Sequence, residues 1–425
     1  MSEKTEGSMD DEPQAASRRK FLTHAGATAV GAVAAPAAIA DVSQNLPPNV
    51  PEWTRTPGRP FLSPAYGLPS PFEKDVVRVL PKPPAAFPTA TRTPLQELKG
   101  SITPNGLFFE RHHANVPMID PRDHRLMIHG LVERPLMFTV EELMRLPAVN
   151  QIHFVECSGN SAAEYNKPTG KTAQEIHGLL SNAEWTGVML SVLLREAGAR
   201  PEAKWLLCEG ADAAAMTRSV PIEKALDDAM VVYAQNGEAL RPEQGYPLRL
   251  LLPGFEGNMN IKWLRRIKLG TEPWQTREET SAYTDVMPDG KARQFTFVMD
   301  AKSCILAPSG GQKLGRHGYH EIYGVAWSGR GKIKAVEVST DAGRSWQHAR
   351  LQEPVLSKAV TAFRIDWNWD GKPCVLQSRA IDETGYVQPT RKELVAVRGT
   401  AYNYHYNAIQ SWNVAATGEV TNVHA

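Results

Sequence analysis

The segment His153-Phe154-Val155-Glu156-Cys157-Ser158-Gly159-Asn160 ends a strand-like run on a lone cysteine and turns at once through Ser-Gly-Asn. That order puts the Cys157 sulfur on a loop, within reach of a ligand, and not inside a sheet. Two uses are open to such a residue. It can be a buried packing thiol, the commonest fate of a free cysteine, or a nucleophile beside a histidine. The other cysteines, Cys208, Cys304 and Cys374, stand far apart with no C-x-x-C spacing, which excludes a zinc knuckle and a C-x-x-C-H haem attachment. They read as packing residues, and no spacing demands a disulfide.

Several separated stretches resemble the sulfite oxidase family of molybdenum enzymes. Phe108-Phe109-Glu110-Arg111-His112-His113-Ala114-Asn115-Val116-Pro117 is similar to the family's F-F-x-R-x-H-x-x-V-P, and Cys157-Ser158-Gly159-Asn160 to its C-x-G-N. Asn236-Gly237-Glu238-Ala239-Leu240, Gly245-Tyr246-Pro247-Leu248-Arg249, Pro253-Gly254-Phe255-Glu256-Gly257 and Lys262-Trp263-Leu264 follow in the family's order and spacing, so the resemblance spans roughly Leu107 to Thr400. It implies molybdenum bound by one pyranopterin dithiolene, with Cys157 as the protein's thiolate ligand. A soft thiolate suits such a centre, and the metal itself would deprotonate it. The resemblance further implies that Phe109, Glu110, Arg111, His112, His113, Asp212, Arg249, Asn260, Ile261 and Lys262 hold the pterin and its phosphate. Arg249 and Lys262 suit that task, since a phosphate takes a bidentate or point cation. Gln244 stands where the family has a histidine; it offers a hydrogen bond but no charge.

The catalytic set implied in the same way is Arg111 and Arg398, the latter in Val397-Arg398-Gly399, as a cage for oxyanion charge, with Tyr283 hydrogen-bonding near the metal. A third arginine of that cage is Ala162 here, five residues after Cys157. Losing one cation from a desolvated pocket weakens binding of a small dianion by roughly 1–3 kcal/mol. That favours a substrate less dependent on charge than free sulfite. The implied activity is oxidation of a sulfur compound by oxygen-atom transfer. Within the family the likeness is greatest to molybdenum subunits that oxidise sulfane sulfur on a carrier protein and pass electrons to a c-type cytochrome. The alternative is a periplasmic sulfite dehydrogenase. A non-enzymatic alternative makes the chain a binding or assembly subunit with a vestigial metal site.

These residues need elements to hold them. From 96 to 285 helix and strand signals alternate, giving an α+β fold whose mixed domain the resemblance makes the molybdopterin-binding domain. Thr139-Val140-Glu141-Glu142-Leu143 predicts a helix start with Thr139 as N-cap and Glu142 at N3. Val188 to Ala197 predicts a helix with one buried face, while Trp205–Cys208 and Leu248–Leu252 predict short strands. From Phe295 onward the signals are β-type. Ile322–Trp327, Ile333–Val338 and Cys374–Ile381 are strand runs, and Asp341-Ala342-Gly343 and Asp370-Gly371 are hairpin turns. The spacing predicts an immunoglobulin-like β-sandwich over 286–425, the domain through which the family dimerises. Tyr402-Asn403-Tyr404-His405-Tyr406-Asn407 alternates aromatics, as packing or as a wall of the active-site mouth, with packing favoured.

At the other end, residues 41–95 are Pro-rich with little periodicity and read as an extended arm. Ser17-Arg18-Arg19-Lys20-Phe21-Leu22, an Ala-rich apolar stretch and Ala38-Ile39-Ala40 make residues 1–40 a twin-arginine signal peptide, which predicts a periplasmic protein exported folded with its cofactor. Pro36 breaks the apolar stretch, so no membrane span is expected. The 425 residues carry a net charge of +1 with no basic run, which gives no sign of a nucleic-acid partner.

Overall fold

The computed structural model describes residues 65–82, 87–400 and 404–425. The twin-arginine segment, most of the Pro-rich arm, and Tyr402 and Asn403 lie outside the described residues. Residues Ser70–Ala425 form one compact unit.

In its first half the chain runs through β1 (Thr89–Ala90), β2 (Arg111–His112), β3 (Arg125–Gly130), β4 (Leu136–Thr139), α1 (Val140–Met144) and β5 (Val149–Glu156). Next come α2 (Ala173–His177), β6 (Leu180–Met189), α3 (Leu190–Ala197), β7 (Trp205–Gly210), β8 (Thr217–Pro221) and α4 (Ile222–Asp227). The half closes with β9 (Met230–Gln235), β10 (Glu238–Ala239), β11 (Arg249–Leu251), β12 (Leu264–Gly270) and α5 (Arg277–Thr280). One sheet has the order β10-β9-β6-β5, with β11 also on β9, and is antiparallel throughout. The second has the order β4-β3-β12-β7-β8, and β12 runs parallel to β3. Leu126, Ile128 and Ile267 from the second sheet share one apolar core with Val188, Val231 and Leu250 from the first.

Local sequence explains the connections. Thr139 accepts from the Glu142 N–H while the Glu142 carboxylate reaches back to the Thr139 N–H, the predicted capping box. The helix expected from Val188 starts two residues later. Val188 and Met189 are the last residues of β6, paired with Val231 and Met230 of β9, so sheet pairing overrides the helical pattern there. In α3, Leu190, Leu193, Leu194 and Ala197 form one buried stripe, and Gly198 at φ 68° ends the helix.

The second half is built of strands after β13 (Asp285–Val286) and β14 (Ala292–Arg293). These are β15 (Lys302–Ala307), β16 (Gly318–Trp327), β17 (Ile333–Ser339), β18 (Gln347–His348), β19 (Arg350–Leu351), β20 (Thr361–Trp369), β21 (Cys374–Asp382), β22 (Ser411–Val414) and β23 (Val420–Val423), with α6 (Arg391–Arg398) between the last sheet strands. They make two antiparallel sheets, β15-β16-β20-β19 and β18-β17-β21-β22-β23. Ile322 and Phe363 of one share a core with Val336, Leu376 and Trp412 of the other. Among the described residues no helix is long and apolar enough to cross a membrane.

Candidate cofactor and active site

A cleft opens where β2, the turn after β5, the β8 approach and the β11–β12 connection converge. Phe109, Arg111, His112, His113, Cys157, Asp212, Arg249, Asn260, Ile261, Lys262 and Tyr283 all line it. Stretches far apart in sequence thus meet in one place.

β5 delivers Cys157 to the cleft, and the turn behind it is fixed from several sides. The Cys157 N–H donates to Leu179 O at 3.0 Å, and the Asn160 N–H donates back to Cys157 O at 2.9 Å. Asn160 also accepts the Leu179 N–H and donates to Glu156 Oε1. Gly257 packs so closely that a Cβ there would stand 2.9 Å from Glu156 O and 3.2 Å from Cys157 Cα. Only glycine permits that approach. Lys302 of β15, 1% exposed, reaches Glu156 at 3.2 Å, and Trp327 Nε1 donates to the same carboxylate at 2.6 Å. Burial pushes the Cys157 thiol up, with Arg111 opposing. All four cysteines are free.

Two cations occupy the inner end. Arg249 is 4% exposed, donates to Gln244 O and Oε1, and lies over the Trp185 ring. Lys262 donates to Arg111 O and Glu243 O and meets His112 Nδ1 at 3.0 Å. Burial lowers Arg249 to about 9 and, with Arg249 beside it, Lys262 to about 7. Among the described residues neither has a carboxylate within 4.0 Å, and Arg249 Nε has no hydrogen-bond partner. A buried cation without a counter-charge is costly, so this pair fits an anionic group such as a phosphate. Near Cys157 the wall is Arg111, His113 and Tyr283. The Tyr283 hydroxyl lies 2.9 Å from His113 Nε2. Burial lowers His113 to about 4, helped by Arg111, and raises the Tyr283 hydroxyl. At neutral pH both are uncharged.

Two expected residues do not line the cleft. Glu110 turns its carboxylate to Arg78 and to His112 Nε2 at 2.9 Å, so it orients the ring that meets Lys262. Arg398, at the end of α6, is buried with Asp285 and Asp300 at 3.8 and 4.0 Å. Ala162 is not a lining residue either, so Arg111 is the cleft arginine on the Cys157 side. The aromatic run divides: Tyr406 packs edge-on against Tyr165 at 4.9 Å, while Tyr404 lies tilted against Tyr283 at 5.2 Å. Phe108, Met216, Asn258 and Trp263 also line the cleft. Asn258 and Trp263 fall inside or beside the quoted motifs, but an amide or an indole carries no chemical signal alone. Met216 gave none at all.

Residues 113–278 match the oxidoreductase molybdopterin binding domain, and residues 293–411 match the Mo-co oxidoreductase dimerisation domain. Sulfite oxidase of Gallus gallus is 31% identical over 68% of this chain and 68% of its own length. The chain belongs to the sulfite oxidase family. Mitochondrial sulfite oxidase of Drosophila melanogaster is 32% identical over 80% of the chain, which spans 65% of that relative; of the mouse enzyme it spans 58%. The crystal structure of the sulfane dehydrogenase SoxCD from Paracoccus pantotrophus superposes with a TM-score of 0.86 at 48% identity, covering 89% of this chain and 98% of that one. The cofactor is accordingly a molybdenum–pterin. Among the described residues no cluster of three or more His, Cys, Asp or Glu is arranged for a metal.

Proposed function

We propose that the chain is the molybdenum subunit of a sulfane dehydrogenase, oxidising sulfur carried on a partner protein. The observation that carries this is the cleft itself. Cys157 stands beside Arg111, His113 and Tyr283 at one end, and two cations lacking carboxylates stand at the other. Arg249 and Lys262 would hold the pterin phosphate, with Phe109, His112, Asp212, Asn260 and Ile261 around it, and Cys157 would ligate the metal. When bound, the cofactor supplies a two-electron oxidation of sulfur coupled to oxygen-atom transfer from water.

The chain supplies placement and charge. Arg111 meets oxyanion charge on the substrate, and the protonated Tyr283 hydroxyl donates a hydrogen bond into the cleft. Neutral His113 holds that hydroxyl in line without adding a second cation. One cleft arginine on the Cys157 side suits a sulfur species of low charge, and the likeness to a sulfane dehydrogenase supports the same choice. Electrons would leave to a c-type cytochrome subunit, and residues 1–40 would export the loaded protein to the periplasm.

The sulfite oxidase relatives favour a second reading, sulfite oxidation to sulfate. The test compares cytochrome c reduction with free sulfite and with a persulfidated carrier protein as donors. The proposal expects the carrier to turn over faster, and faster turnover on sulfite would overturn it. In Cys157→Ser the molybdenum content should fall well below the wild-type stoichiometry. Full retention of metal and activity would remove Cys157 from the site.

A further inference from the structure

Arg218, on β8, belongs to none of the motifs above, yet its side chain is fully enclosed. Its guanidinium lies 3.4 Å from Glu256 and 3.5 Å from Glu279. It also donates to Asn258 Oδ1 and stands 5.1 Å from the centroid of the Tyr283 ring. Asn258, a cleft residue, donates onward to Ser158 Oγ at 3.2 Å, and Ser158 directly follows Cys157. The counter-ion is tied to the same turn. Glu256 meets His405 Nε2 at 3.3 Å, and the His405 N–H donates to Ser158 O at 2.7 Å.

One buried cation therefore touches both sides of the reacting space. Through Asn258 it reaches the turn that presents the sulfur, and its guanidinium carbon lies over the ring of the tyrosine opposite. A lysine could match the charge, but only the planar fork addresses two carboxylates, an amide and a ring together. Tyr283 has a φ of 50°, a conformation that a non-glycine residue keeps only when its surroundings hold it. Glu279 is itself anchored by Ser219 Oγ and the Thr276 N–H, so the network has a fixed base.

We infer that Arg218 is a positioning residue for the sulfur chemistry, setting the Cys157 turn and the Tyr283 ring relative to one another. It touches neither substrate nor cofactor. The inference rests on Cys157 being the metal's thiolate, because the geometry it controls is that of the metal–sulfur bond and the facing hydroxyl. First-neighbour geometry of this kind tunes a metal centre.

The test uses the full molybdenum-loaded protein with Arg218→Lys and Asn258→Ala. Each is poised with dithionite and its Mo(V) signal recorded by electron paramagnetic resonance. Steady-state rates follow with the persulfidated carrier or sulfite, whichever donor turns over faster. Both variants should keep the wild-type molybdenum content and show displaced g-values. Their kcat should fall on the order of tenfold to a hundredfold, with KM moved by less than about threefold. Wild-type g-values and kcat in both variants, with only a lowered Tm, would reduce Arg218 to a structural ion pair and overturn the inference. If Arg218→Lys does not fold, Asn258→Ala decides alone, because it leaves both ion pairs in place. Wild-type protein without molybdenum would overturn the functional reading and this inference with it. Metal present with an unmoved spectrum in the variants overturns this inference alone.

Discussion

Arg249 has a guanidinium nearly removed from water and, among the described residues, donates to Gln244 with no carboxylate within 4.0 Å. In the cofactor-free protein that is a cost, and a bound phosphate would offset it. Arg249→Met should therefore leave the apo protein as stable as wild type or more stable by about 1–3 kcal/mol in urea unfolding, while pterin content falls. A variant that loses stability without losing pterin would contradict the phosphate role. His153, four residues before Cys157, carries a second residue-level expectation. Burial lowers it from 6.5 to about 4. The unfolded chain thus binds its proton first as pH falls, so stability is full above 6.5 and is lost through the window from 6.5 to 4, by at most about 3 kcal/mol. His113 shares that direction, also to about 4, so His153→Gln should remove only part of the slope of Tm between pH 7 and 4.5. An unchanged slope would show that His153 is not neutral in the fold. The sequence marks Arg249, Lys262 and Cys157 because their spacing within motifs is fixed. It marks Glu110 equally, yet that carboxylate pairs with Arg78, 32 residues upstream, a partner that no motif contains.

Between elements, the decisive join is β5 to β15. Glu156 is 0% and Lys302 1% exposed, and Asn160, Ser161 and Trp327 complete the hydrogen bonds of the pair. Removing one partner leaves an uncompensated buried charge. Lys302→Met alone should cost about 3–5 kcal/mol and loosen the Cys157 turn, whereas Glu156→Gln with Lys302→Met should recover much of that loss. Additive losses in denaturant unfolding would show that the two do not act as a pair. The strand ending at Glu156 was legible from its apolar run and the Ser-Gly-Asn turn. The helix boundary at Leu190 was not, because cross-strand pairing of Val188 and Met189 outweighs a helical pattern that extends over them. Likewise Val397-Arg398-Gly399 was visible as a motif, but the ion pairs of its guanidinium with Asp285 and Asp300 were not.

For the whole molecule, the strand-rich half buttresses the turn that carries Cys157. It supplies Lys302 and Trp327 to Glu156, and His405 to Ser158 and Glu256. Residues 70–292 expressed alone should be poorly soluble and free of molybdenum, and a soluble, metal-loaded fragment would refute that dependence. The match to a dimerisation domain over 293–411 leads us to expect a dimer of the intact chain by sedimentation. By itself the sequence marked Cys157, Arg249 and Lys262 as candidates to hold the cofactor and showed that two kinds of domain follow one another, since these depend on residue type at fixed local spacing. Only the tertiary structure decided that Arg398 pairs with Asp285 and Asp300, that Glu110 serves a histidine, and that Arg218 sits between Cys157's turn and Tyr283. Those outcomes depend on which charges meet in the buried interior, where a counter-charge can come from any distance along the chain.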